Sequence, residues 1–295
     1  MNTAHEVRIF EGARRVEAIA TDDRAFAYGE GLFETLRAHA GTLPWWDAHW
    51  ARLAHGAQRL GLPLPDPARV RAEAEAMFAD GGEGVLKLLL SRGGARGYAA
   101  PADAAPRWML ARHPLPPARD AVHAIWCHTR LALQPALAGL KHCNRLEQVL
   151  ARRECDAAGA DEGLMQDSDG HVVSATAANL FVLRNGAWTT PPVDRCGVAG
   201  ICRAHLLVAL GAREARLDRE AVETADAVFL CNAVRGILPV ARLGARQWAS
   251  HPAIRDARQA LARSHPGFAP EAGGHAVGGH AVDGQAVDGQ AAEAG

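Results

Sequence analysis

Two tight-turn dipeptides in the second half of the chain restrict the fold more than any other local feature. Asp169-Gly170 and Asn185-Gly186 each lie between apolar, β-rich runs. Because such dipeptides accept the positive φ of a short hairpin turn, they predict antiparallel strand pairs. The apolar periodicity after Ile201 predicts a helix, a strand over residues 214–217, a helix, a strand over 227–231 and a final helix over 252–264. The chain is therefore predicted to have an α+β fold.

The first third of the chain mixes short strands with helices. Its clearest predicted helix ends at Gly61 and places on one face Trp46, Trp50, Leu53, Ala57 and Leu60. Two short apolar strands are predicted after this helix, over residues 83–91 and 107–111.

Prolines at positions 114, 116 and 117 divide the chain into two predicted domains. Proline fixes its own backbone and restricts the preceding residue, which suits a connection between domains. We expect a smaller α/β domain over residues 1–112, a linker over 113–119 and a larger α/β domain over 120–268. The larger domain opens with a predicted strand over 121–128, and a helix that follows Lys141 runs to about residue 158.

The last residues, 269–295, are predicted to be a disordered tail. From Gly274 the sequence repeats roughly every five residues and is rich in glycine and alanine. Such a segment buries too little apolar surface to offset its chain entropy. His275 and His280 have no third ligand nearby in sequence, so no metal site is predicted there.

Composition excludes several functional classes. The net charge is -1 and basic residues are interspersed with acidic ones, so no nucleic-acid or membrane partner is predicted. The N-terminus lacks a basic start followed by an apolar run, so we expect a cytoplasmic location. The six cysteines include no Cys-x-x-Cys pair, which predicts free thiols and neither a disulfide framework nor a zinc site.

Lys141 stands out among the basic residues. Lysine occurs only at positions 87 and 141, so arginine carries nearly all of the positive charge. Unlike arginine, a desolvated lysine loses its proton and becomes a nucleophile. An apolar stretch delivers Lys141 to the predicted start of a helix, where a lysine that captures an aldehyde would lie. The spacing alone is equally that of a surface lysine at a strand–helix junction.

The residues around Lys141 resemble a known family. The run from Leu140 to Gln148, Leu-Lys-His-Cys-Asn-Arg-Leu-Glu-Gln, resembles the cofactor-lysine segment of 4-amino-4-deoxychorismate lyases, members of the fold-type IV pyridoxal-phosphate family. Four further stretches resemble this family in the same order, namely Asp23-Arg24 with 28–35, then 49–53, 178–181 and 197–203. The resemblance implies a two-domain α+β fold, a pyridoxal 5'-phosphate cofactor bound to Lys141, and a homodimer whose active site lies near the interface.

The resemblance also implies which groups hold the cofactor phosphate. The amides of Ile201 and Cys202 open a helix after a glycine turn, where free N–H groups and the helix dipole favour an anion. Arg52 matches the phosphate arginine of the family, and its planar fork suits phosphate oxygens. Asn232 and Ala233 form a third candidate contact, although aminotransferase relatives commonly have a threonine there. A glycine-rich loop and a solvated helix arginine are the alternative interpretations.

The position expected at the pyridine nitrogen departs from the family pattern. Relatives carry a glutamate five residues before the asparagine of Asn-Leu-Phe, and this carboxylate keeps the ring nitrogen protonated. Counting back from Asn179 gives Ser174. A hydroxyl can hydrogen-bond a neutral nitrogen but cannot hold a pyridinium proton by its charge. We therefore expect a different electronic state of the ring.

Three residues are implied as substrate contacts: Tyr28, Arg96 and Tyr98. A structural role is the alternative interpretation of Tyr28. The loop over residues 91–98 resembles the arginine-glycine loop of the lyases, and it is predicted to bring its charged groups to the pocket mouth. Guanidinium groups suit a substrate that carries two carboxylates. A solvated hairpin tip is the alternative interpretation of this loop.

Lys141 is further implied as the base that removes the ring hydrogen of the substrate and as the donor of the proton that the leaving enolpyruvate needs. Thr35 is a weaker candidate for the second role. Arg145 lies in the family segment as well, but pairing with Glu147 or Asp161 would explain it as a structural residue.

The reaction implied by the resemblance is the conversion of 4-amino-4-deoxychorismate to 4-aminobenzoate and pyruvate, a step toward folate. Transamination needs a stabilised carbanion that is reprotonated on the cofactor, whereas elimination of a good leaving group needs the carbanion only briefly. Ser174 therefore favours a lyase. The alternatives are a D-amino-acid or branched-chain aminotransferase of the same fold, and a protein that binds pyridoxal phosphate without catalysis.

Removal of residues 274–295 is expected to leave folding and activity unchanged, because this segment offers no periodic apolar face to a core. The melting temperature and the specific activity of the truncated chain measure the effect. A lower melting temperature or an altered oligomeric state would show that the tail packs on the rest of the protein.

Overall fold

The computed structural model describes residues 6–94, 96–100 and 104–269. The predicted tail lies outside the described residues except for Ala269. The first sheet is antiparallel throughout, and its strands are β1 (Val7–Glu11), β2 (Arg14–Val16), β3 (Gly31–Ala38), β4 (Gly84–Ser91) and β5 (Arg107–His113). Their order across the sheet is β2-β1-β5-β4-β3. The accompanying helices are α1 (Arg24–Tyr28), α2 (Trp46–Leu60) and α3 (Pro67–Ala76).

The two faces of β3 have different partners. Successive side chains of a strand point to opposite faces, so Leu32 and Leu36 join the buried core beneath α2 and α3. Glu34 lies on the same face of β3 as these two leucines and is also buried. Phe33 and Thr35 lie on the opposite face, which borders a cavity shared with the second half of the chain.

The second half forms a mixed sheet. Its strands are β6 (Val122–Trp126), β7 (Glu162–Gln166), β8 (Val172–Ala175), β9 (Asn179–Arg184), β10 (Ala187–Thr190), β11 (Arg213–Glu214), β12 (Ala227–Asn232), β13 (Gly236–Leu243) and β14 (Arg246–Gln247). The strand order is β11-β10-β9-β12-β13-β6-β7-β8, and β14 pairs with β13. The helices are α4 (Leu146–Ala157), α5 (Ile201–Ala209), α6 (Arg219–Glu223) and α7 (Pro252–Ser264).

This sheet bends back on itself. Strand β8 lies at one end of the strand order, yet only residues 176–178 connect it to β9 near the other end. The Ala175 N–H donates to the Ala178 carbonyl at 2.8 Å and closes this short connection. The bend brings β8 toward the C-terminal end of β12, so both strands border the same cavity.

Trp45 contacts the second half of the chain and connects the two halves. Its indole Nε1 donates to the Ser264 carbonyl at 3.0 Å, and its ring stacks on His205 with a centroid distance of 4.5 Å. The ring also meets His265 edge-on at 4.8 Å. Because Trp45 immediately precedes α2, these contacts hold α2 against α5 and α7.

Several sequence predictions are confirmed. Helix α2 ends at Gly61, which adopts a left-handed φ of 63°, and α7 has the predicted bounds. The turn at Asn185-Gly186 has the expected positive φ values of 50° and 75°. The β7–β8 hairpin also forms, although there the left-handed residue is Gly170.

Other predictions were wrong or incomplete. The strand expected over residues 214–217 is reduced to Arg213–Glu214, which pairs in parallel with β10, while Leu217 forms only an isolated bridge with Val172. Helix α3 and strand β13 were missed, although Asp66 caps α3 from the first position before Pro67. The implied antiparallel second sheet is mixed, because β6 pairs in parallel with both β7 and β13. The division into two domains stays a prediction; its linker over 113–119 begins at the last residue of β5 and ends before β6.

Candidate active site

A cavity of about 420 Å³ lies between β3 and the second sheet. Its walls come from β3, α2, the Lys141 segment, β8, the glycine segment before α5, and the connection from β12 to β13. The candidate site residues that line it are Thr35, Arg52, Lys141, Ser174, Ile201, Asn232 and Ala233. Side chains far apart in the sequence therefore meet in one place.

Lys141 enters this cavity from an irregular segment that lies along β3. The Lys141 carbonyl accepts the Phe33 N–H at 2.9 Å, and the Cys143 N–H donates to the Gly31 carbonyl at 2.8 Å. The predicted position at a helix start was wrong, because α4 begins only at Leu146 and backbone pairing with β3 keeps Lys141 extended. The Lys141 ammonium lies 4.1 Å from the centroid of the Phe33 ring.

The surroundings of Lys141 favour its neutral amine. Burial lowers the pKa of Lys141 to about 8, and the positive charges of Arg52 and Arg145 act in the same direction. The charge of Glu34 opposes this shift but does not cancel it. Lys141 therefore has the property that a nucleophile and a general base require near neutral pH.

Arg52 is held by a buried carboxylate on β3. Its Nε donates to Glu34 Oε1 at 2.8 Å, and its Nη2 pairs with Glu34 Oε2. Burial by itself would raise the pKa of Glu34, but the charge of Arg52 and hydrogen bonds from Arg52 and His49 lower this pKa to about 2. Arg52 Nη1 also donates to the Ala199 carbonyl at 2.7 Å, which connects α2 to the glycine segment.

The N-terminus of α5 is open toward the cavity. Gly200 is its N-cap residue and offers no side chain to satisfy the first amides, which include those of Ile201 and Cys202. A Cβ on Gly200 would lie 2.0 Å from Asn179 Oδ1, so a larger residue here would displace the Asn179 side chain. Cys202 differs from Ile201 because its side chain is buried in the core beneath the helix. Its amide is the group available to an anion.

Ser174 lies on β8, at the wall of the cavity, and is buried. The described residues that line the cavity include no aspartate and no glutamate. The buried carboxylate of Glu162 does not line the cavity. Its Oε1 accepts hydrogen bonds from the Gly163 N–H at 3.1 Å and from Thr176 Oγ1. Ser174 is therefore the polar side chain that β8 offers at the position expected for the ring nitrogen.

Asn232 has a local structural task. Its Oδ1 accepts the N–H groups of Val234 at 3.0 Å and Arg235 at 2.8 Å, and its Nδ2 donates to the Ala177 carbonyl at 3.2 Å. The side chain thus shapes the connection from β12 to β13. Ala233 lies within this connection and also lines the cavity.

Arg145 is a cavity residue whose role the sequence left open. Its Nε donates to the His142 carbonyl and its Nη2 to the Leu140 carbonyl, each at 2.8 Å. The alternative that Arg145 pairs with Glu147 or Asp161 was wrong, because the chain folds its guanidinium back onto the Lys141 segment. Burial lowers the pKa of Arg145 to about 10. The guanidinium charge therefore reaches the cavity without a paired carboxylate among the described residues.

Tyr28, Arg96 and Tyr98 do not line the Lys141 cavity within one chain, and their role as substrate contacts stays a prediction. Arg24 donates to the carbonyls of Gly97 and Tyr98 and holds the loop beside α1. Tyr28 accepts the Gly97 N–H at 2.9 Å, and the two tyrosine rings are 5.7 Å apart. Tyr98 is 91% exposed.

The fold and the cavity together define an enzyme that captures an aldehyde on a lysine and a phosphate at a helix N-terminus. Residues 31–243 match the amino-transferase class IV family, and the chain belongs to this family. Its fold is that of fold-type IV pyridoxal-phosphate enzymes.

Several relatives carry more specific names. An aminodeoxychorismate lyase of Vibrio harveyi is 34% identical over 234 residues, which are 76% of this chain and 86% of that protein. A crystal structure of 4-amino-4-deoxychorismate lyase from Pseudomonas aeruginosa is 42% identical, covers 86% of this chain and 98% of that chain, and has a TM-score of 0.79. A bifunctional aminodeoxychorismate lyase / D-amino acid transaminase of Mycobacterium tuberculosis is 27% identical over 230 residues, which are 70% of this chain and 77% of that protein.

Pyridoxal phosphate is the cofactor of this family, and the cavity fits it. The open amides at the start of α5 and the guanidinium of Arg52 suit the phosphate. The amine of Lys141 suits the aldehyde, and the hydroxyl of Ser174 can hydrogen-bond a ring nitrogen. When bound, the cofactor supplies a ring that accepts electrons from a breaking bond of the substrate.

Lys141→Ala is expected to abolish covalent cofactor retention and activity, because no other group in the cavity can replace the amine. Borohydride reduction followed by peptide mapping measures where the pyridoxyl label is attached. Lys87→Ala is the matched control, since the Lys87 ammonium lies 5.6 Å from the same Phe33 ring. A label on Lys87 in the unaltered protein would contradict the assignment.

The apoenzyme is expected to capture pyridoxal phosphate at a rate that rises with pH through about 8, the pKa of Lys141. The rate rises with pH because the neutral amine is the form that reacts with the aldehyde. The lowered pKa means that this amine forms around pH 8 and not around pH 10.5. Arg145→Gln removes a nearby positive charge and should move this midpoint upward. Arg153→Gln, an exposed position on α4, should not. A midpoint near 10 in the unaltered apoenzyme would contradict this account.

Proposed function

We propose that the protein converts 4-amino-4-deoxychorismate to 4-aminobenzoate and pyruvate, a step toward folate. The observation that carries this proposal is a cavity lined by both Ser174 and a lysine of lowered pKa, with no carboxylate among its described lining residues. The names of the relatives from Vibrio harveyi and Pseudomonas aeruginosa support the same reaction.

The residues of the cavity have distinct tasks in this reaction. Lys141 holds the cofactor between turnovers, and its free Nζ then removes the hydrogen from the substrate ring carbon that carries the amine. The same ammonium is the donor of the proton that the departing enolpyruvate takes up to become pyruvate. Thr35, on the β3 face that borders the cavity, is the second candidate donor.

Ser174 favours elimination over transamination. A serine hydroxyl carries no charge that would keep a ring nitrogen protonated, so it stabilises a carbanion less than a carboxylate would. Elimination from aminodeoxychorismate produces an aromatic ring, and the substrate itself therefore supplies much of the driving force. A transaminase has no such contribution from its substrate.

Positive charge in the cavity matches the two carboxylates of this substrate. Arg52 and Arg145 both line the cavity, and Arg52 is the one that a buried carboxylate neutralises. The guanidinium of Arg145 bonds only to backbone carbonyls among the described residues, so its charge is available to an anionic substrate.

An aminotransferase that acts on D-amino acids is the second candidate function. It is supported by the bifunctional relative from Mycobacterium tuberculosis, whose name combines both activities. A coupled pyruvate assay with aminodeoxychorismate, run beside D-alanine and a branched-chain amino acid, separates the candidates. Pyruvate release from aminodeoxychorismate supports the lyase. Conversion of the cofactor to its pyridoxamine form by an amino acid, with no pyruvate released from aminodeoxychorismate, would overturn it, and no reaction at all would indicate a protein that binds the cofactor without catalysis.

A homodimer is part of this proposal. Phe26, on the short helix α1, is 81% exposed, and Leu146 is 70% exposed at the start of α4. A contiguous apolar patch at a surface marks an interaction site, and the two side chains belong to neighbouring segments, since Asn144 Nδ2 donates to the Gly29 carbonyl at 3.1 Å. The exposed loop with Arg96 and Tyr98 lies next to α1, so a second copy that covers Phe26 would also meet this loop. Tyr28, Arg96 and Tyr98 are therefore proposed to contact substrate across the interface.

The cellular location stays a prediction. Within the described residues, no helix is both long enough and apolar enough to cross a membrane. We propose the cytoplasm as the site of this reaction.

Ser174→Glu is expected to keep lyase activity within about tenfold, a change in activation free energy of roughly 1.4 kcal/mol or less. It should also gain half-transamination with D-alanine, because a carboxylate keeps the ring nitrogen protonated. Ser174→Ala is the control and should cost about 0.5–1.5 kcal/mol, the contribution of one hydrogen bond. Single-turnover absorbance and pyruvate release measure both activities. Efficient transamination of D-alanine by the unaltered enzyme would contradict the electronic argument.

Phe26→Asp is expected to dissociate the proposed dimer, because burying a charge at an apolar contact costs desolvation free energy. Val208→Asp is the matched control, since Val208 is similarly exposed, at 85%, but lies on α5. Analytical ultracentrifugation measures the mass in solution. A monomeric unaltered protein, or a dimer that survives Phe26→Asp, would argue against this interface.

A further inference from the structure

A second cavity, of about 380 Å³, lies next to the Lys141 cavity. Val234 and Arg235 line both cavities and form the wall between them. The other walls come from residues 115–119, strand β13, helix α7 and the segment that ends at Ala269. Four arginines line this second cavity: Arg37, Arg119, Arg235 and Arg258. Its described lining includes no aspartate and no glutamate.

Arg37 is the most deeply placed of the four. Arg37 lies on the same face of β3 as Phe33 and Thr35, so this face of the strand lines both cavities. Its Nη1 donates to the Val234 carbonyl at 3.3 Å, while its buried Nε has no hydrogen-bond partner among the described residues. Burial lowers the pKa of Arg37, and the charge of Glu83 opposes this shift without cancelling it.

Two of the other arginines are held by backbone carbonyls. Arg235 Nη1 donates to the Pro117 carbonyl at 2.7 Å, and Arg258 Nη2 donates to the Asp120 carbonyl at 3.0 Å. A carbonyl orients a guanidinium but does not neutralise its charge. Burial lowers the pKa of Arg235, and the charge of Arg119 lowers it further. Arg119 differs, because it forms an ion pair with Asp161.

The remaining walls are largely apolar. They include the side chains of Leu115, Ile237, Leu238, Leu261 and Phe268. The guanidinium carbon of Arg37 lies 5.1 Å from the centroid of the Phe268 ring, so charge and apolar surface adjoin. An inorganic anion would satisfy the charge but leave this apolar surface without a partner. A ligand with both an anionic and an apolar part would meet both.

We propose that this second cavity binds a small organic carboxylate with an apolar body. The carboxylate pairs with Arg37 and Arg258, and the apolar body packs on Leu261 and Phe268. This site lies outside the machinery of the proposed reaction, because none of its residues except Val234 and Arg235 borders the Lys141 cavity. A free metabolite and a reaction product of this chemistry would both fit.

Calorimetric titration of the cofactor-loaded full chain with benzoate tests this site. Arg258→Gln is expected to weaken benzoate binding at least about tenfold, since a hydrogen bond to a charged group contributes that much. Arg255→Gln is the matched control, an exposed arginine on the same helix that does not line the cavity. It should bind benzoate like the unaltered protein. No measurable benzoate binding by the unaltered protein overturns the proposal.

A second variant and two further probes make the outcome decisive. Arg37→Gln should weaken benzoate binding as Arg258→Gln does, and unchanged affinity in both variants overturns the proposed location. Inorganic phosphate should bind more weakly than benzoate, and equal affinity would overturn the assigned ligand class. Stronger binding of 4-aminobenzoate than of benzoate would identify a product site within that class. These titrations involve no turnover, so their result is independent of whether the lyase reaction occurs.

Discussion

The arrangement of the site depends on the buried ion pair between Glu34 and Arg52. Glu34 points from β3 into the core beneath α2, where burial alone would disfavour its charge. Arg52 compensates this charge and reaches on to the Ala199 carbonyl, so one side chain joins the first sheet to the segment that precedes α5. Loss of either partner would leave an uncompensated buried charge, at a cost of about 3–5 kcal/mol. The same guanidinium lowers the pKa of Lys141, which connects the stability of the fold to the reactivity of the site.

Backbone carbonyls orient several arginines around the two cavities without neutralising them. Arg145 is held in this way in the Lys141 cavity, and Arg37, Arg235 and Arg258 are held in this way in the second one. A carbonyl supplies geometry while leaving the net charge in place. The protein as a whole has a net charge of only -1, so this local excess of positive charge comes from the fold and not from the composition. Both cavities are consequently suited to anions.

The class IV aminotransferase family includes proteins with different reactions, and the cavity indicates how this chain differs from the family pattern. Its scaffold provides a lysine, an arginine and an open helix N-terminus for the cofactor. Under the proposed function, Ser174 favours a reaction whose substrate provides its own driving force, since the described lining residues include no carboxylate. The proposal thus assigns the choice of cofactor to the scaffold and the choice of reaction to one side chain on β8.

The sequence by itself determined the elements that depend on near neighbours. Helix α2 with its closing Gly61, helix α7 and the turn at Asn185-Gly186 follow from contacts within a few residues, and the similarity of the Lys141 segment to the family indicated the cofactor. Only the tertiary structure decided that β6 pairs in parallel with β7 and β13, that Arg145 folds back onto the Lys141 segment, and that Arg37 joins three distant arginines in a second cavity. These features arise between residues far apart in the chain, and their distances are set by the packing of whole sheets and helices, which local patterns do not encode.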